Sequence, residues 1–495
     1  MTGTRQTADA TRALQRVAAC AVAVVLGFST EVPLALAITP PPIEPALVPA
    51  DGRPGPEQAM RQSNLCADPI ALPDPAIGLP TPGFAMLNIR QAWRYSTGNG
   101  VPVAVIDTGV HPHPRLPVVA GGDYIVGGDG LTDCDAHGTV IASLIAAAPQ
   151  GSPMPPPMPP TSTESGPGAV APSPPQSSPS APAAADGVVG VAPHATLISI
   201  RQSSRAYSAV NPGPRGSEAR AAMATLARAI VHAANLGARV INVSVAACVP
   251  AAEPLDQRAL GAAVWYAAME KDAVIVAAAG NEGENGCVQN PLSGNPAGDS
   301  RDWQRVRTVS SPSWYSDYVL SVGAVDTDGA PISKSLAGPW VGVAAPGVGI
   351  VGLSPRTGSP VNAYPPPRPG EAGLPFWGTS YSAAYVSGVA ALVRAKYPDL
   401  SARDVIARIV RTAHNPARGA DSRVGYGMVD PVAALTFNVQ PGGLTAAGAR
   451  VRVLNPPPAP PSPDHRARHV ALGFAAAIVA ALLLALGIVR AGRAR

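Results

Sequence analysis

The run Val101-Pro102-Val103-Ala104-Val105-Ile106-Asp107-Thr108-Gly109 is apolar until it stops on a carboxylate and a turn. A short apolar run closed by turn residues reads as a strand buried on both faces. The same grammar recurs at Ala195–Ile200, Val240–Val245, Ala273–Ala279, Val319–Val325 and Trp340–Val343, the third ending at Gly280-Asn281. Helical stretches lie between them. Thr139–Ala148 is apolar, Glu218–Leu236 is Ala-rich and ends at Gly237, and Ser380–Lys396 closes at Tyr397-Pro398. Strands alternating with helices imply an α/β fold, a parallel sheet flanked by helices on both faces. Functional sites in such sheets sit at the carboxyl ends of the strands.

Composition narrows the rest. The chain has 495 residues, 14% charged and 46% hydrophobic, with 50 Gly and 58 Pro. Average globular chains are about 25% charged and about 12% Gly plus Pro, so long stretches here must be loop or extended linker. The apolar content excludes disorder throughout. A net charge of +4 without an internal basic tract argues against a nucleic-acid partner.

Both ends read as membrane traffic. Arg5, Arg12 and Arg16 precede the apolar run Val17–Gly27, and Ala35-Leu36-Ala37 offers a small-x-small cleavage site, so residues 1–37 are expected to be a signal peptide. Val470–Val489 carries no charge, and at 1.5 Å per residue it spans about 30 Å, the thickness of a bilayer core. Arg490, Arg493 and Arg495 follow, which puts residues 490–495 in the cytoplasm and the folded part on the outer face of the cell membrane, held by a single transmembrane helix. Gly473, Ala477, Ala481 and Ala485 form a small-residue face along that helix. Between the ends lie a Pro-rich extension at 38–84, a folded domain at 85–439 with a flexible insert at 149–185, and a linker at 440–469. Once the leader and its Cys20 are removed, Cys66, Cys134, Cys248 and Cys287 remain; in an exported chain these read as two disulfides, with three connectivities open.

Four strand or helix ends carry chemistry: Asp107 closing a buried strand, His137 opening an apolar helix, Asn281 after another strand, and Ser380 opening a second helix. A serine nucleophile needs a base, and histidine suits by its pKa. A carboxylate on the other ring nitrogen holds the tautomer and stabilises the imidazolium. The oxyanion needs donors, which the Ser380 N–H at a helix N-terminus and the Asn281 side chain can supply. Singly, each residue has an ordinary role as a cap, packing or turn residue. In the order Asp, His, Asn, Ser, from about residue 85 to 437 and including Gly425-Tyr426-Gly427-Met428-Val429-Asp430, they resemble the subtilisin family.

The narrower resemblance is to mycosins, membrane-anchored subtilisin-like proteases of type VII secretion systems. It rests on the leader, the Pro-rich extension, four cysteines, a long insert after the His137 helix and the C-terminal anchor. It implies the pairs Cys66–Cys134 and Cys248–Cys287, with the extension held as a permanent strap. It also implies a serine endopeptidase without a metal or organic cofactor, and extra methyl groups on the pocket strand, at Val245-Ala246-Ala247, fit cleavage of a restricted set of protein substrates or little cleavage at all. The alternative role is a structural component that stabilises the membrane secretion complex. Two positions depart from the wider family. Tyr381-Ser382-Ala383-Ala384 replaces the usual segment ending in proline after the nucleophile, and Val245-Ala246-Ala247 replaces Leu-Gly-Gly on the strand that lines the first substrate pocket.

Weaker signals read as structure. Asn242-Val243-Ser244 is a glycosylation sequon inside a strand pattern. Asp123, Asp129, Asp133 and Asp135 lack EF-hand spacing, so a solvated loop is expected in place of a calcium site. His111 and His113 alternate with prolines, as in a surface turn.

Overall fold

The computed structural model describes residues 38–159, 185–214, 217–252, 255–292, 303–417, 419–440, 442, 475, 479, 482 and 485. The chain divides into two units, Met1–Leu444 and Thr445–Arg495, of which the second is represented by four exposed helical residues, Ala475, Val479, Leu482 and Ala485. No helix among the described residues is long and apolar enough to cross a membrane. The expected leader, most of the insert, most of the linker, most of the expected span and the expected tail lie outside the described residues.

Eleven strands position the site: β1 (Met60–Gln62), β2 (Pro102–Asp107), β3 (Val118–Asp123), β4 (Thr196–Arg201), β5 (Tyr207–Ala209), β6 (Val240–Val243), β7 (Ala247–Pro250), β8 (Val274–Ala278), β9 (Thr308–Ser311), β10 (Val319–Val325) and β11 (Val341–Pro346). Seven of them form one sheet in the order β11-β10-β8-β6-β2-β4-β3. Every pairing in it is parallel. The sheet is subtilisin-like in its layering.

Residue alternation explains the two cores. Val103 and Val105 of β2 face one cluster, with Val274 and Val276 of β8; Ala104, Ile106, Ile275 and Ala277 face the other. On the first face pack α1 (His137–Ala146), α4 (Thr379–Lys396) and α5 (Ala402–Thr412); on the second, α2 (Ser217–Asn235) and α3 (Arg258–Trp265). Seventeen of the eighteen residues of α4 are buried, which its small side chains permit: Ala383, Ala384, Gly388 and Ala390 let the helix lie close on the sheet. α2 ends where expected, with Gly237 at φ +84°, a left-handed conformation that glycine adopts without a Cβ penalty. α1 has His137 as its first residue, as expected, and ends at Ala146, two residues before the end of the apolar stretch.

The extension does not fold alone. β1 pairs antiparallel with β5, Asp51 meets His232 at 2.7 Å and Asn235 at 2.9 Å, and Ile70 bridges to Ala363. Arg115 clamps the two ends of the insert. Its guanidinium donates to Ala148 O at 2.8 Å on one side and to Asp186 at 2.7 and 3.0 Å on the other. The ends are thereby held together whatever the intervening residues do.

Candidate active site

Asp107 is the last residue of β2, near the middle of the sheet, and is fully buried. Its Oδ1 accepts from the Thr108 N–H at 2.7 Å and lies 2.7 Å from His137 Nδ1. The start of α1 is built onto that strand end. Ala136 turns the chain in a left-handed conformation, φ +63°, just before His137. A Cβ on Gly138 would sit 2.0 Å from Gly109 O, so only glycine lets the helix seat against the strand.

One buried carboxylate ties these pieces together. Asp133 Oδ1 accepts from Thr108 Oγ1 at 2.8 Å and the Asp135 N–H at 3.1 Å. Its Oδ2 accepts from Thr139 N–H at 2.8 Å and Thr139 Oγ1 at 2.6 Å. Thr108 Oγ1 in turn accepts the Gly138 N–H at 2.9 Å. Burial pushes the Asp133 carboxyl up to about 6, against the hydrogen bonds from Thr139 and Thr108. For His137, burial works against the imidazolium, but the charge and hydrogen bond of Asp107 and the charge of Asp133 outweigh it. The ring is held above its ordinary 6.5.

The expectation of a solvated acidic loop is therefore corrected. Asp123, Asp133 and Asp135 are buried, and only Asp129 is exposed. Asp123 meets Arg201 at 3.3 Å and takes backbone N–H groups, and Asp135 accepts from the Arg205 N–H at 2.7 Å and from Ser204 Oγ. Buried carboxylates need such partners; a count of acidic residues in the sequence cannot reveal them. Among the described residues no three His, Cys, Asp or Glu side chains are grouped to hold a metal ion.

The facing half is made by β6, β8 and α4. Ser380 is the second residue of α4, so its N–H is one of the helix's unpaired first-turn donors. Gly378 precedes it at φ +138°, and a Cβ there would lie 3.0 Å from Asn281 Nδ2. Asn281 follows β8 and is 8% exposed; its Oδ1 accepts from Thr379 N–H and Thr379 Oγ1, both at 3.0 Å. The amide plane is fixed, with Nδ2 donating to Glu284 Oε2 at 3.1 Å. Ser380 Oγ donates to the Ser244 carbonyl at 2.7 Å. A hydroxyl has one proton, so in this state it is not shared with His137. The Tyr381 ring lies 5.3 Å from the His137 ring and 5.9 Å from that of Phe376, forming an aromatic wall where the sequence departs from its wider family.

Two disulfides frame these halves: Cys66–Cys134, joining the extension to the loop before His137, and Cys248–Cys287, joining β7 to the turn after Asn281. Of the three connectivities the sequence left open, this is the one the resemblance implied.

Comparison with known proteins shows the family. Residues 98–427 match the subtilase family, Peptidase_S8. Mycosin-2 of Mycobacterium tuberculosis is 56% identical over 97% of this chain and 98% of its own. The chain belongs to the mycosins. As a mycosin it is a subtilisin-like serine endopeptidase by family. The solved MycP3 protease of the type VII (ESX-3) secretion system is 50% identical, covering 81% of this chain and all of its own, with a TM-score of 0.70. A chain of the intact ESX-5 inner membrane complex is 47% identical, covering 92% of this chain and all of its own, with a TM-score of 0.73.

Asp107 and His137 are thus in direct contact, and Thr379 joins Asn281 to the start of the Ser380 helix. Asn242 is fully buried, bonded to Ser244 Oγ and Ser387 Oγ, and inaccessible to glycosylation. Sequence reading passed over Thr379, Ser244 Oγ, Arg205 and Glu284. Thr379 had a local signal, since it sits between Gly378 and Ser380. Arg205 and Glu284 had none, because they meet only through the fold.

Proposed function

We propose that this mycosin is a membrane-anchored serine endopeptidase serving type VII protein secretion, with Ser380 as nucleophile. The observation that carries this reading is the buried 2.7 Å Asp107–His137 contact at the end of a central strand, in a chain with subtilase architecture. Ser380 Oγ turns from the Ser244 carbonyl toward His137 Nε2, which takes its proton as Oγ attacks the scissile carbonyl. The Asp107 carboxylate keeps the Nδ1 proton in place and stabilises the imidazolium. Asn281 Nδ2 and the Ser380 N–H donate to the oxyanion. His137 then protonates the leaving amine, and water repeats the sequence on the acyl-enzyme.

Residues 1–37 direct export, the helix at 470–489 anchors the chain, and 490–495 face the cytoplasm. Half-buried Val245 and Ala246 beside Ser244 narrow the first pocket and restrict the protein substrates cut. A second reading, a structural part in the secretion complex, is favoured by relatives solved within the ESX-5 periplasmic assembly and inner membrane complex. One set of strains tests both. Ser380→Ala should lose all labelling by a fluorophosphonate probe while the detergent-extracted complex keeps its size. Undiminished labelling removes Ser380 as nucleophile, and collapse of the complex in this variant would fuse the two roles.

A further inference from the structure

An ion pair crosses between the two disulfide-framed walls of the site. Arg205 Nη2 lies 3.6 Å from Glu284 Oε2, the same oxygen that accepts the Asn281 Nδ2 hydrogen bond at 3.1 Å. Both ends are anchored through the backbone. The Arg205 N–H donates to Asp135, two residues before His137, and its carbonyl accepts from Asn64 Nδ2 of the extension at 2.9 Å. Glu284 sits in a tight turn. Its N–H donates to Asn281 O at 3.1 Å and its carbonyl accepts from Cys287 N–H at 2.8 Å, with Cys287 tied to Cys248.

Glu284 is not needed to orient Asn281. Thr379 already fixes the amide plane through two hydrogen bonds to Oδ1. The carboxylate therefore adds negative charge against the group that must receive negative charge in the tetrahedral intermediate. An amide nitrogen carries two protons, so one can stay with Glu284 while the other faces the oxyanion. The two anions then share one donor and repel. Arg205, 75% exposed and reaching over from the His137 side, is placed to cancel that repulsion.

We propose that Glu284 is a brake on the Asn281 oxyanion donor and that Arg205 is the counter-charge that sets its strength. Neither is a catalytic residue; both act through Asn281. The extension reaches the chemistry by this route, because Asn64 helps to hold the Arg205 backbone. The inference rests on the reading of Ser380 and Asn281 given above.

The test uses the full-length chain extracted in detergent and a neutral fluorophosphonate, whose phosphoryl oxygen occupies the oxyanion position. The labelling rate is split into kinact and KI on the alkaline plateau, where His137 protonation does not enter. Both side chains are exposed and screened, so effects of roughly two- to fivefold are expected. Glu284→Gln should raise kinact by that factor with KI unchanged. Arg205→Ala should lower kinact by a similar factor, and the double variant should match Glu284→Gln, since Arg205 has nothing left to mask. Thermal midpoints should be alike in all four proteins. A Glu284→Gln rate at or below wild type overturns the brake, as does an Arg205→Ala loss that persists undiminished in the double variant. A wild-type chain that takes no label at all would instead take down the Ser380 reading, and the brake with it.

Discussion

The two halves of the site are in different states of readiness. On the Asp107 side the acid–base pair is already in contact: His137 is bonded to Asp107 Oδ1, although Asp107 Oδ2 has no partner among the described residues, and Asp133 binds the strand end to the helix start through four hydrogen bonds. On the Ser380 side the groups are present but engaged elsewhere, Ser380 Oγ with Ser244 and Asn281 Nδ2 with Glu284. The difference has a physical basis. A buried carboxylate left without partners costs several kcal/mol, so folding selects the contacts that hold it. A hydroxyl or amide at a cleft can rest on a neighbour at little cost and turn when substrate arrives. On the proposed reading the acid–base half is held by folding, whereas the nucleophile half would be completed only when substrate binds.

The hardest test of the fixed half is Asp107→Asn. The substitution keeps the shape but favours the wrong tautomer of His137, and a loss of about 10⁴ in labelling rate is expected. A loss below tenfold would mean that the 2.7 Å contact orients nothing. The completed half should be more tolerant. Asn281→Ala should cost about 10² to 10³, because the Ser380 N–H still donates. Gly378→Ala should cost less again, about tenfold in rate. Its Cβ presses on Asn281 Nδ2 at 3.0 Å, and the backbone stands at φ +138°. A denaturation midpoint and a labelling rate both equal to wild type in Gly378→Ala would show that the turn relaxes freely.

The same contrast governs how much was legible beforehand. Buried strands announce themselves because both faces are apolar, and Val103–Ile106 and Val274–Ala278 were read as such. Edge strand β3 was missed: Gly121 and Gly122 interrupt its apolar run, and only its pairing with β4 makes it a strand. Helix α5 was missed although Ser401 caps it by accepting the Asp404 N–H, a signal the sequence did carry. At the proposed site, Asp107, His137 and Ser380 stand out in the sequence because each lies at the end or start of an element, and Asn281 because it follows one closely. Asp133 was visible but misjudged, since its burial depends on Thr108 and Thr139 closing over it. Glu284 and Arg205 belong to opposite walls, and nothing local links them.

The finest distinction between the halves is electrostatic, and Asp133 isolates it. Its carboxyl titrates at about 6 in the folded chain against 3.8 ordinarily, because burial disfavours the ion. Between those values the folded state holds a proton that the unfolded state has released. Stability therefore falls as pH rises through this window, by about 3 kcal/mol for a shift of about two units. His137 adds a second loss at higher pH. Its raised pKa contributes stability below 6.5 that disappears as pH passes the folded value. Asp133→Asn should remove the first slope and make the second smaller, because the Asp133 charge helps to raise His137. At neutral pH two changes oppose each other in this variant. An amide facing the Thr139 donors costs about 1–3 kcal/mol, but the buried charge is gone. Net stability should then stay within about 2 kcal/mol of wild type. The acid limb of the labelling rate should also move to lower pH, since the Asp133 charge no longer supports the His137 imidazolium. Chemical denaturation of both proteins across the acid range reads the slope directly. An Asp133→Asn curve that tracks wild type at every pH would show that this carboxyl does not titrate there, and that the fixed half of the site owes its pH response to His137 alone.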